Sequence, residues 1–135
     1  MQSHFRRFDS KLLDGWIDPD PLPAWLSEDD LDYYTAEFEE SGFRGPLNRY
    51  RAQARDWELL PQLSELKIIL PSYFIGGELD FVRHLLSAVD LFETPGEACT
   101  DFRGKAIIPG VGHWVQQEAP EQINHELLKF LRELG

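Results

Sequence analysis

The stretch LKIILPSYFIGGELD (66–80), with its shorter counterpart GKAIIPGVGHW (104–114), decides the fold. LKIILPSYFI is a β-branched and aromatic run that stops at Gly76-Gly77, and GKAIIPG repeats the pattern over 104–110. Continuous apolar runs of this kind suit strands buried on both faces, as in a parallel sheet covered by helices. Between them FVRHLLSAVDLF is helical and ETPGEACTDF is loop. After the second run Pro120 opens EQINHELLKFLREL, with Ile123, Leu127, Leu131 and Leu134 on one helix face.

Upstream the pattern is different. Residues 1–26 read as irregular and aromatic-rich, ending in DPDPLPAWL, where three prolines discourage a long helix. Ser27 then begins SEDDLDYYTAEFEESG, a capping-box-like start with Asp30 in the third position. Glu28 and Asp29 suit the positive end of the helix dipole, and Gly42 offers a left-handed stop. A second helix is predicted over about Pro46 to Trp57, where Leu47, Tyr50, Ala54 and Trp57 form a stripe suited to core packing. The order is two helices, then strand, helix, strand, helix. The second part is α/β.

With 135 residues the chain has the size of one ordinary domain, and its 42% hydrophobic and 13% aromatic content rules out a mainly disordered segment. The formal net charge of -11 repels phosphate backbones and anionic headgroups, so neither nucleic acid nor a membrane surface is an expected partner. Cys99 is the single cysteine, which precludes an internal disulfide and fits a reducing compartment. The start MQSHFRRFDSKLLDG has no apolar run after its arginines, and no stretch approaches the roughly 18 to 20 apolar residues of a membrane span. A soluble, cytoplasmic protein is expected.

The two runs end in the most informative loops, Gly76-Gly77-Glu78-Leu79-Asp80 and Gly110-Val111-Gly112-His113. In open α/β sheets functional groups gather beyond the carboxyl ends of the strands, and a crossover between parallel strands brings those ends side by side. An aspartate bonded to one ring nitrogen fixes the histidine tautomer and leaves the other nitrogen to accept a proton. The plainer alternative is that Asp80 caps the following helix and His113 is a satisfied turn residue. His4, His84 and His125 lack metal-ligand spacing, so no metal site is expected. No GxSxG elbow, P-loop or GxGxxG occurs, and Cys99 has no activating context. The pair is without an attacking group in these residues.

ESGFRGPLNRYRAQARDWEL (40–59) resembles the cap region of epoxide hydrolases of the α/β-hydrolase fold. FIGGELDFV is similar to that family's acid loop, IIPGVGHWVQQEAPEQIN to its histidine loop and final helix, and WLSEDDLDYYTAEFEESGF to the preceding cap helix. The resemblance runs from about Trp25 to Leu134 with the motifs in the family's order. It implies the C-terminal half of an α/β-hydrolase fold, with part of the helical cap over 1–60 and core over 61–135.

The same resemblance makes Tyr50 a lid tyrosine that hydrogen-bonds the epoxide oxygen, Asp80 the acid that orients the base, and His113 the base that activates water. Phe81 and Trp114 are the expected substrate-binding residues. No cofactor is implied, and the substrate is a small hydrophobic epoxide. Three features depart from the family pattern. Arg49 stands where an aromatic is usual, neither Tyr33 nor Tyr34 occupies the second lid position, and the segment with the nucleophilic aspartate and the HG-x-P loop is missing. The chain alone is therefore expected to be inactive, completed by an N-terminal half or associated as a homo-oligomer. The alternative is a non-catalytic interaction protein, or a subunit completing another α/β-hydrolase chain.

Overall fold

A computed structural model describes residues 14–15, 17–84 and 89–135, and the chain divides into two compact units between Gly42 and Phe43. In the first unit, helix α1 spans Glu28–Ser41. Its capping box forms as expected: the Ser27 hydroxyl accepts from the Asp30 amide at 3.1 Å, and the Asp30 carboxylate accepts from the Ser27 amide at 3.1 Å. The Ser27 hydroxyl also donates to the Asp30 carboxylate at 2.5 Å, and this bond, followed by that from the Ser27 amide, holds the Asp30 carboxyl below its ordinary range. Gly42 ends the helix with φ 65°, its amide donating back to the Phe38 carbonyl. The irregular reading of residues 1–26 falls partly on residues 1–13 and 16, outside the described part.

The second unit begins with α2, Arg44–Leu59, which starts two residues before Pro46. Proline fits there because first-turn amides have no intrahelical acceptor. The stripe expected to pack is instead exposed: Leu47 is 39%, Tyr50 65% and Trp57 74% accessible. A 3₁₀ turn follows at Pro61–Glu65.

The sheet has two parallel strands, β1 at Ser72–Gly77 and β2 at Phe102–Ile108. The apolar run from Leu66 is not one strand. Ile68 makes an isolated bridge with Cys99, and regular pairing resumes only at Ser72. Pro71 between them has no amide to give to a ladder. A register slip separates Ser72↔Phe102 from Tyr73↔Gly104, so β2 carries one extra residue there. Gly104 sits at φ 136°, a conformation that a side chain would strain.

The strands were expected to be buried on both faces, yet most of their residues are only half-buried, and Arg103 and Lys105 are exposed. Two strands offer too little neighbouring surface to cover both faces. Burial concentrates at the carboxyl ends. Ile108, Val111 and Ala119 form the core there, with Ile75, Ala106, Val115 and Ile123 against it. A one-turn helix α3, Val115–Glu118, leads into α4, Pro120–Arg132. The inward face of α4 is Ile123, Glu126 and Phe130: Tyr73 stacks on Phe130 at 5.5 Å and donates its hydroxyl to Glu126 at 2.9 Å. Leu127, Leu131 and Leu134 lie on the exposed side.

The segment after β1 departs from the helix expected over 81–92. Phe81–His84 form a 3₁₀ turn, residues 85–88 lie outside the described part, and Leu91 and Phe92 are in turns. Arg83 ties this loop together. It pairs with Asp90, donates to the Glu78 carbonyl at 2.8 Å and lies 5.5 Å from the centre of the Phe92 ring. The guanidinium holds the Asp90 carboxyl down at about 2.

Gly77 fixes the distance between the two strand-end loops. A Cβ there would stand 2.1 Å from the Gly112 carbonyl oxygen and 2.3 Å from that of Val111. Both obstacles are backbone, so neither can swing aside. Gly77→Ala is expected to cost about 1–3 kcal/mol in a urea melt. Gly45→Ala, where a Cβ meets open space early in α2, should be neutral or mildly stabilising. Equal midpoints for the two variants would show that the loops do not meet at Gly77. A second expectation concerns pH. A carboxyl with a depressed folded pKa contributes above its unfolded value and loses that contribution as pH falls through the folded one. The Phe92 amide, bonded to Asp90 at 2.9 Å, should therefore shift with a midpoint near about 2, whereas a midpoint near 3.8 would mean that the Arg83–Asp90 pair is not formed.

Candidate active site

Asp80 lies three residues beyond the end of β1, and His113 five beyond the end of β2. The parallel register puts Gly77 opposite Ile108, so both loops leave the same edge. Backbone bonds then join them: the Glu78 amide donates to the Ile108 carbonyl at 3.0 Å and the Leu79 amide to the Val111 carbonyl at 2.8 Å. The Glu78 carboxylate accepts from the Gly110 amide at 2.9 Å, across the turn that Gly110 makes with φ 71°.

This brings Asp80 and His113 into contact. The His113 Nδ1 lies 3.0 and 3.1 Å from the two carboxylate oxygens of Asp80. Asp80 is 8% exposed, whereas the His113 side chain is 40% exposed. Burying a carboxylate is costly unless its oxygens find donors, and Asp80 has a second one in the Val82 amide at 2.8 Å. An ionised carboxylate can only accept, so the pairing selects the proton on Nδ1 and leaves Nε2 as the basic nitrogen. The contact fixes the orientation of the imidazole ring. Asp80 also does what the plainer reading asked of it: its side chain and its carbonyl, which takes the Arg83 amide at 3.3 Å, start the 3₁₀ turn.

Phe81 and Trp114 flank His113, their ring centres 5.4 and 5.2 Å from that of the imidazole. Trp114 is 53% and Phe81 62% exposed, so both offer apolar surface beside the histidine. Tyr50 stands apart. It is on α2 and, among the described residues, makes no hydrogen bond with Asp80 or His113.

Several residues that hold the site escaped the sequence reading. Glu78, Arg83 and Asp90 brace the acid loop, and Glu118 accepts from the amides on both sides of His113, at 2.6 Å from Gly112 and 2.9 Å from Trp114. A signal for Glu118 existed in its place one helical turn after Trp114. Glu78 and Asp90 carried none, since their partners are set by tertiary contact. Among the described residues no three His, Cys, Asp or Glu side chains gather to hold a metal ion, and no helix is long and apolar enough to cross a membrane. A hollow of about 640 Å³ beside α4, lined by Ile108, Pro109, Glu121, Gln122, His125 and Glu126, includes neither member of the pair.

No family model matches the chain. Individual proteins do. The chain is 42% identical over 122 residues to epoxide hydrolase B of Mycobacterium tuberculosis strain H37Rv, covering 90% of this chain and 34% of that protein. Epoxide hydrolase A of the same strain is 40% identical, covering 87% of this chain and 37% of that one. Among solved structures, a Vigna radiata epoxide hydrolase mutant superposes with a TM-score of 0.77 at 37% identity, over 85% of this chain and 37% of that chain. The chain thus spans about a third of the length of the curated relatives it matches. In sequence and in fold it is homologous to the C-terminal part of epoxide hydrolases of the α/β-hydrolase fold.

Proposed function

We propose that this chain contributes the acid and base of an epoxide hydrolase site, opening a small hydrophobic epoxide to a diol through an aspartyl ester. The observation that carries the proposal is the two-oxygen contact of Asp80 with Nδ1 of a half-exposed His113. In the reaction an aspartate carboxylate, supplied from outside these 135 residues, attacks an epoxide carbon. The C–O bond breaks, and the developing alkoxide takes the proton of the Tyr50 hydroxyl, a donor on α2, with residues 1–60 read as the partial lid region and 61–135 as the core part. Water then attacks the ester carbonyl while His113 Nε2 takes its proton, and Asp80 stabilises the resulting imidazolium. Collapse of the tetrahedral intermediate passes the His113 proton to the departing diol oxygen, and the second proton of the water goes from the new carboxyl to the Tyr50 phenolate, which restores aspartate, tyrosine and base together. Phe81 and Trp114 form the apolar wall. A cytoplasmic setting fits a chain whose cysteine, Cys99, is a free thiol.

A second reading, a subunit that completes another chain's sheet, is favoured by the run before β1. Leu66, Ile68, Ile69 and Leu70 are between 52% and 76% exposed. Contiguous apolar surface beside an open strand edge invites association.

Three measurements follow. The purified chain should not turn over styrene oxide or trans-stilbene oxide, because no ester forms for His113 to hydrolyse; sustained diol production that His113→Ala abolishes would overturn this. When the N-terminal part of a relative is added as a second chain, His113→Gln should accumulate ester, whereas Tyr50→Phe should slow its formation by roughly 10²-fold. Mass spectrometry after one turnover reads the difference, and equal ester levels would mean that the roles are misassigned. Finally, the chain alone should be a homo-oligomer or a dye-binding monomer. Light scattering and dye fluorescence that report a dye-silent monomer would show instead that these residues pack unaided.

A further inference from the structure

Glu118 occupies an unusual place for an acidic side chain in so acidic a protein. It is the last residue of α3 and its carboxylate turns back along the chain. One oxygen accepts from the Gly112 amide at 2.6 Å and the other from the Trp114 amide at 2.9 Å. These two amides belong to the residues on either side of His113, so one carboxylate spans the stretch of backbone that carries the imidazole. Charge-assisted bonds to backbone amides are about twice as strong as neutral ones.

The neighbouring glycine supplies a second observation. A Cβ on Gly112 would stand 2.9 and 3.1 Å from the two Glu118 oxygens, so the carboxylate would have to shift away from its place between the two amides. Gly112 is not at a positive φ, so alanine suits its backbone. The glycine leaves the carboxylate the space it occupies.

We infer that Glu118 is a positioning residue for the base: by clamping the amides of Gly112 and Trp114 it holds His113 in register with Asp80. Glu118 does not touch the reacting atoms. The Asp80–His113 bond is a contact between two loops, whereas the amides of Gly112 and Trp114, among the described residues, are bonded by Glu118. The kinetic consequence rests on the proposed reaction; the structural one does not.

The test uses the full chain and the variants Glu118→Gln and Gly112→Ala, with Glu121→Gln as a control for loss of one charge. The glutamine keeps one acceptor and turns an amide donor toward the second backbone amide. The alanine leaves the carboxylate intact but displaces it. In the unmodified chain the His113 Nδ1 proton should give a sharp downfield resonance, which both variants broaden or lose and Glu121→Gln preserves. With the complementing N-terminal part present, ester hydrolysis should fall roughly ten- to a hundredfold in both variants while ester formation stays within about twofold. A wild-type ring signal in both variants overturns the inference, as does an equal fall in formation and hydrolysis, which is the mark of general structural loss. If the complemented unmodified chain forms no ester, the proposed reaction fails, and the ring signal alone decides the role of Glu118. Should both variants fail to fold, hydrogen exchange in the unmodified chain decides: the Gly112 and Trp114 amides should exchange at least about tenfold more slowly than free amides. Free exchange at both overturns the clamp.

Discussion

The approach of Gly77 to the backbone carbonyls of Val111 and Gly112 is the constraint on which the rest of the site depends. With a Cβ excluded at 2.1 and 2.3 Å, the end of β1 can lie directly against the loop that leaves β2. Only at that distance does the Leu79 amide reach the Val111 carbonyl, and only then does the buried carboxylate of Asp80 meet His113. The same approach seats Val111 in the small core with Ile108 and Ala119. A backbone contact, rather than a side-chain interaction, sets the geometry of Asp80 and His113.

Around this contact the protein uses carboxylates as structural acceptors. Glu78 satisfies the Gly110 amide, Glu118 the amides on either side of His113, and Asp90 the Phe92 amide together with Arg83. Loop amides have no ladder partner, and an unpaired buried donor costs free energy comparable to a lost hydrogen bond. A carboxylate with two oxygens can satisfy two of them at once. Part of the net charge of -11 is therefore engaged in holding loops.

Apolar burial, by contrast, is thin. Phe92, Ile108, Val111 and Ala119 are the buried hydrophobic residues among those described, while Ile69, Leu70 and Trp57 stand largely in solvent. Two parallel strands and one long helix against them cannot cover the faces that the apolar runs present. That imbalance agrees with a chain matching about a third of the length of its relatives.

The sequence by itself determined the local features whose causes are local. The Ser27–Asp30 capping box, the stop at Gly42, the opening of α4 at Pro120 and the two apolar runs ending in glycine all depend on neighbours a few residues away. The order strand, acid loop, strand, histidine loop was enough to place Asp80 beside His113, because parallel pairing leaves their ends at one edge. Tertiary structure decided what periodicity cannot carry. It broke the first run at Pro71 and turned the expected helix after Asp80 into a 3₁₀ turn held by Arg83 and Asp90. It exposed the stripe of α2, since an apolar face is buried only where another surface meets it. And it gave Glu78 and Glu118 their partners, because a hydrogen bond belongs to atoms within about 3 Å of each other whatever their separation in the chain.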